Sequence, residues 1–244
     1  MARHSKWHNI QVRKGKQDKL KGSAFTKLAR LITIAAKEGG GNPEMNFSLR
    51  LAIEKAKAAN LPKDNIDRAI KRGTGELGDE AALEELLYEG FGPGGIAFLV
   101  EVVTDNRNRS AGEVKNIFTK HGGSVAGPGS VQWQFERRAV VRVGESQRPK
   151  IKDREPEFEL AVIDAGAEDI VVSELGWEII CAVDKFQPVL HTVERFGIEP
   201  EESGLEWLPK DRVSADEAGS EQAAGLYGAL EDHDDVRAVY TNEV

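Results

Sequence analysis

From Phe25 onward, Leu28, Ala29, Ile32, Ala35 and Ala36 recur three and four residues apart, which places them on one side of an α-helix. Lys27, Arg30 and Lys37 fall on the other side, and Gly39-Gly40-Gly41 ends the run. Asn42-Pro43 turns into a second helix with Leu49, Ala52, Ile53, Ala56 and Ala59 inward and Arg50 and Lys57 outward. Pro62 suits the start of a third, which buries Ile66, Ala69 and Ile70, exposes Arg68, Lys71 and Arg72, and stops at Gly73-Thr74-Gly75. One apolar face per helix predicts a small three-helix bundle with a basic outer surface.

Beyond an acidic linker over 76–85 the texture changes to β-branched and aromatic runs alternating with helices. Ile96 to Thr104 reads as a buried strand. Ser110-Ala111-Gly112-Glu113 has capping-box spacing and opens a helix with Val114, Ile117 and Phe118 inward, ending at Gly122-Gly123. Val131 to Phe135 reads as the next strand. Ala139 to Val143, a helix near Glu157 to Ala165, a hairpin through Ile170 to Val183, a helix near Pro188 to Phe196 and Leu205 to Leu208 give strand-helix-strand-strand-helix-strand. A strand near Val213, a helix capped by Ser214 with Glu217, and a strand from Val236 to Tyr240 repeat the latter half of that unit, and residues 96–135 would supply its first half.

The expected fold class is therefore α+β: an N-terminal three-helix domain followed by two ferredoxin-like α/β domains, the second inserted into the first. The expected boundaries are 1–78, then 79–136 with 209–244, then 137–208.

Charge sharpens this division. The net charge of the 244-residue chain is -8, yet residues 1–75 hold 17 Lys and Arg against 6 Asp and Glu, a net +11, leaving -19 for 76–244. So steep a split suggests a head that binds a polyanion, carried on a body that repels one. Cys181 is the sole cysteine and lies in an apolar run, which excludes a disulfide framework and a thiolate metal site and suits a reducing cytosol. No run approaches the roughly 20 apolar residues of a membrane span, and the N-terminus has no apolar stretch behind its basic residues, so a soluble, cytoplasmic protein is expected.

Arg3, His4, Lys6, Trp7, His8, Arg13, Lys14, Lys16, Lys19 and Lys21 lie in a polar stretch without apolar period. Cations beside an indole suit phosphate contact and base stacking; equally, the stretch could be a solvated arm with Trp7 packed on the bundle. Thr104-Asp105-Asn106-Arg107-Asn108-Arg109 joins a strand to a helix N-terminus, where Arg107 and Arg109 could clamp phosphate, although Asp and Asn there also make ordinary turn chemistry. Gly90-Phe91-Gly92-Pro93-Gly94-Gly95 matches G-x-G-x-x-G but precedes a strand and opens no helix, so a dinucleotide site is rejected. Glu231-Asp232-His233-Asp234-Asp235 reads as a solvated acidic turn, and His121 as a helix-end residue. The histidines have no zinc-hydrolase spacing and no partner nucleophile, so neither an enzyme, a cofactor, a metal nor a small-molecule substrate is expected.

Several runs resemble the YebC family, whose relatives include the mitochondrial translational activator of cytochrome c oxidase. They are His4-Ser5-Lys6-Trp7, Phe25-Thr26-Lys27-Leu28, Gly39-Gly40-Gly41, Arg50-Leu51-Ala52-Ile53, Pro62-Lys63-Asp64-Asn65-Ile66, Ala69-Ile70-Lys71-Arg72-Gly73, Tyr88-Glu89-Gly90, Thr104 to Arg109 and His121-Gly122-Gly123. Arg3, where the family usually has Gly, and Gln11-Val12, in place of a more polar or basic pair, depart from its pattern. The resemblance implies three domains and a regulator of gene expression, either a translation factor on ribosomal RNA or the ribosome, or a DNA-binding transcriptional regulator. The absence of an evident recognition helix and dimer interface leans toward RNA. Expected nucleic-acid contacts are Lys6, Trp7, Arg13, Lys14, Lys27, Arg30, Lys57, Lys63, Arg68, Lys71, Arg72, Arg107 and Arg109. Charge reversal of Lys27, Arg30, Lys71 and Arg72 is expected to remove binding and spare stability.

Overall fold

A computed structural model of the chain describes residues 21–78 and 83–244. Three helices, α1 (Lys21–Gly39), α2 (Phe47–Ala58) and α3 (Lys63–Gly73), are followed by two four-stranded antiparallel sheets. Contacts within the chain gather it into two compact units, one of them 132–213 and the other holding the helices, the first sheet and 214–243.

In the helical part, Ile32, Ala35, Ala36, Leu49, Ala52, Ile53, Ala56, Leu61, Ile66 and Ala69 form one buried cluster, the faces that periodicity marks. Asn46 caps α2: its Oδ1 accepts from Leu49 N at 3.1 Å, while its Nδ2 donates to the Ala35 and Gly40 carbonyls. A Cβ at Gly73 would overlap the Thr33 carbonyl and lie 2.7 Å from Ala36 Cβ, so only glycine lets α3 pack this close to α1.

The first sheet has the order β3-β1-β2-β8, from β1 (Glu84–Phe91), β2 (Ala97–Thr104), β3 (Ser124–Ala126) and β8 (Val236–Thr241). Helices α4 (Arg107–Lys120) and α7 (Glu217–Glu231) bury Val114, Phe118, Leu226 and Leu230 against Phe98, Val100 and Val239. Gly94 and Gly95, at φ 69° and 73°, make the β1–β2 turn, so the glycine-rich motif shapes a hairpin. Ile34 of α1 packs with Leu83 and Val103, tying the helices to this sheet.

Four expectations are corrected here. The supposed acidic linker already contains the start of β1, whose Glu84 and Glu85 are exposed while Gly90 is buried. The strand that follows α4 is Ser124–Ala126, and Gln132–Gln134 is a short 3-10 turn leading into the other sheet. Helix α4 starts a turn before Ser110, capped by Asn106, whose Oδ1 accepts from Arg109 N at 3.1 Å, and α7 is capped by Asp216 in place of Ser214. Asx caps are as effective as Ser.

The unit 132–213 contains β4 (Phe135–Gly144), α5 (Glu155–Asp164), β5 (Ala167–Ser173), β6 (Gly176–Cys181), α6 (Phe186–Arg195) and β7 (Glu202–Pro209), with sheet order β5-β6-β4-β7. That is the strand-helix-strand-strand-helix-strand arrangement read from the sequence. Its helices cover one face, where the Phe158 ring meets Trp177 and Phe196 edge-on. On the other face the buried Arg142 donates to Glu178 at 2.8 Å, to Glu202 at 3.4 Å and to both oxygens of Glu206. Burial opposes the charge, but the Glu206 carboxylate and its two neighbours hold the guanidinium pKa above its ordinary value.

Candidate nucleic-acid interface

The amphipathic pattern of α2 and α3 leaves their cations outward. Lys57, Lys63, Arg68 and Lys71 are exposed, and none has a side-chain ion pair among the described residues. Arg72 is half-buried on the same helix. Arg107 is exposed in the first turn of α4. Lys6, Trp7, Arg13 and Lys14 lie outside the described residues.

Lys27, Arg30 and Arg109 behave otherwise. The reading that Lys27 and Arg30 point away from all packing is corrected: α1 packs on the bundle with one face and meets the end of α7 with the other. Lys27 Nζ donates to the carbonyl of Glu231, the last residue of α7, where the helix dipole is negative. Burial lowers its pKa, against the pull of Glu231, Asp232 and Asp234. Arg30 donates to the Asp234 carbonyl and pairs with Asp235, both at 2.6 Å. The acidic turn at 231–235, read as solvated, is thus the counter-charge of α1.

Asp235 collects this network. Its carboxylate accepts from Ser110 Oγ at 2.5 Å, Arg109 Nη2 at 2.9 Å and Thr104 Oγ1 at 3.2 Å, besides the Arg30 pair. Burial alone would raise its pKa; the hydrogen bonds from Ser110 and Arg109, with the charges of Arg30 and Arg109, outweigh burial and hold it at about 2. Arg109 also reaches Asp105 at 3.1 Å. The Thr104 to Arg109 loop therefore joins β2 and α4 to the acidic turn before β8, and Arg109, although exposed, is paired with both Asp105 and Asp235.

Next to this network a cleft of about 360 Å³ opens between two helix ridges. Phe25, Thr26, Ala29, Arg30 and Thr33 of α1 line one side, Asn65, Arg68, Ala69 and Arg72 of α3 the other, and Asp105 stands at one end. Spacings of i, i+3 and i+7 put Asn65, Arg68 and Arg72 on one stripe of α3. The small side chains of Ala29 and Ala69 leave room between the helices. Thr33 Oγ1 donates to the Ala29 and Ala69 carbonyls at 3.0 and 3.1 Å, holding the helix pair together beneath the opening.

Among the described residues, Glu113, His233 and Asp235 converge as a metal site would. Their hydrogen bonds do not fit that role. The Asp235 N–H donates to His233 Nδ1 at 3.1 Å, so the proton is on Nε2, which lies 2.9 Å from Glu113 Oε2. Both ring nitrogens are used, and Asp235 already faces two guanidinium groups.

Residues 5–76 match the family described as "TACO1/YebC protein N-terminal domain", and 83–243 match "TACO1/YebC second and third domain". A "Probable transcriptional regulatory protein" of Persephonella marina is 50% identical, the match covering 99% of this chain and 95% of that one. One of the same description from Carboxydothermus hydrogenoformans is 46% identical, covering 99% and 98%. The crystal structure of the conserved hypothetical protein Aq1575 from Aquifex aeolicus superposes with a TM-score of 0.81 at 41% identity, covering 93% of this chain and 91% of that chain. The helical region followed by two antiparallel sheets is thus shared with a solved structure.

Proposed function

Because the chain belongs to the TACO1/YebC family, two relatives of which are described as probable transcriptional regulatory proteins, we propose that it is a non-enzymatic, nucleic-acid-binding regulator of gene expression acting in the cytoplasm on RNA, in the manner of a ribosome-binding translation factor. One observation carries this reading: Lys57, Lys63, Arg68 and Lys71 stand exposed, with no side-chain ion pair among the described residues, on a head of opposite charge to the rest of the chain. Surface cations without internal partners are the groups that exchange counterions for phosphates. Arg72 and Arg107 extend the surface, and Lys6, Trp7, Arg13 and Lys14 would add an aromatic-basic arm. Among the described residues no helix is long and apolar enough to cross a membrane.

DNA is the second reading, favoured by the words "transcriptional regulatory" in the relatives' descriptions. Crosslinking in cells followed by sequencing of the attached nucleic acid separates the two. Ribosomal RNA as the main product is the expected result, and promoter DNA would replace the first reading with the second.

A further inference from the structure

We propose that the cleft between α1 and α3 seats a single unstacked nucleotide of a single-stranded nucleic acid, so that the head distinguishes unpaired strands from duplex. The proposal rests on the nucleic-acid reading above and gives it a specific pocket.

The chemistry of the lining points to this ligand class. Of the charged groups that line it, Arg30 is paired with Asp235 and Asp105 with Arg109, which leaves the phosphate to Arg68. Arg68 at the exposed rim makes no internal ion pair among the described residues, so its whole charge is available. A site for inorganic phosphate alone would need nothing more. Yet the floor is apolar, formed by Ala29 and Ala69, and the half-buried Phe25 adds an aromatic wall. Bases stack on such rings regardless of sequence. The exposed Asn65 offers an amide donor and acceptor that could meet a base edge. About 360 Å³ lies at the small end of ligand pockets, enough for one base with its phosphate and too little for a stacked pair. Bases in duplex are paired and stacked, and cannot enter without being flipped out of the stack.

Fluorescence anisotropy of the full chain tests this, with a ten-nucleotide single-stranded RNA and a blunt duplex RNA of the same length as probes. Two cleft variants are compared with Lys57→Glu, which lies outside the cleft. Ala29→Leu fills the floor without changing charge, and Asn65→Ala truncates an exposed side chain and so spares folding. Thermal melting checks both. The expected result is about a tenfold loss of single-strand affinity for each cleft variant, with duplex affinity unchanged, while Lys57→Glu weakens both probes. Asn65→Ala binding within twofold of wild type, or equal losses on both probes, would overturn the pocket and leave the functional reading standing. Wild-type protein that binds neither probe would overturn the functional reading and the pocket with it.

Discussion

Asp235 is 3% exposed yet faces two guanidinium groups and two hydroxyls, and its pH response follows from that setting. A carboxylate held at about 2, against roughly 3.9 in an unfolded chain, stabilises the fold fully above about pH 4. The stabilisation is lost as pH falls toward the folded-state value. Thermal midpoints measured from about pH 5 to about pH 2.5 should therefore fall, and Asp235→Asn should start lower at neutral pH and show a flatter acid limb. An unchanged acid limb in the variant would show that other carboxylates set it. Arg142 makes the complementary case. Replacing it with Leu removes the cation that Glu178, Glu202 and Glu206 share, and removing one side of a buried ion pair costs about 3–5 kcal/mol. Urea denaturation of Arg142→Leu should register a loss of that order.

Among the elements, the bundle helices were legible because each needs only one apolar stripe and a stop signal. The βαββαβ unit was legible because its β-branched and aromatic runs alternate with longer helical stretches, although α5 leaves Leu160 and Ile163 exposed and so lacks a single apolar stripe. Strand β1 was not, since its first residues, Glu84 and Glu85, are charged and exposed, and an acidic opening reads as linker. The start of α4 was misplaced because two capping patterns overlap, and Ser110 donates its hydroxyl to the Asp235 carboxylate instead of serving as the cap. At the α1–α3 crossing, Gly73→Ala forces a methyl group into the Thr33 carbonyl and should cost about 1–3 kcal/mol in thermal or urea unfolding. Asn46→Ala removes the α2 cap, a buried bond to α1 and a part-buried one to the residue after its end, and should cost about 2 kcal/mol by the same measurement.

Over the whole molecule, the charge split was readable from sequence, but the use of each cation was not. Helical spacing shows which side of α1 avoids the bundle; it cannot show that a segment more than 200 residues later covers that side. Lys27 and Arg30 are consequently structural anchors, and reversing their charge should destabilise the protein instead of sparing it. A clean binding test uses Lys57, Lys63, Arg68 and Lys71. The most direct measurement is the affinity of the full chain for single-stranded RNA as a function of salt, in wild type and in the protein carrying Glu at those four positions. If these cations displace phosphate counterions, log affinity should fall with log salt at a slope of about -3 or steeper in wild type, and the fourfold variant should lose most of both affinity and slope while melting normally. Equal affinity and equal slope in the two proteins would contradict the assignment of the helical head as the nucleic-acid surface.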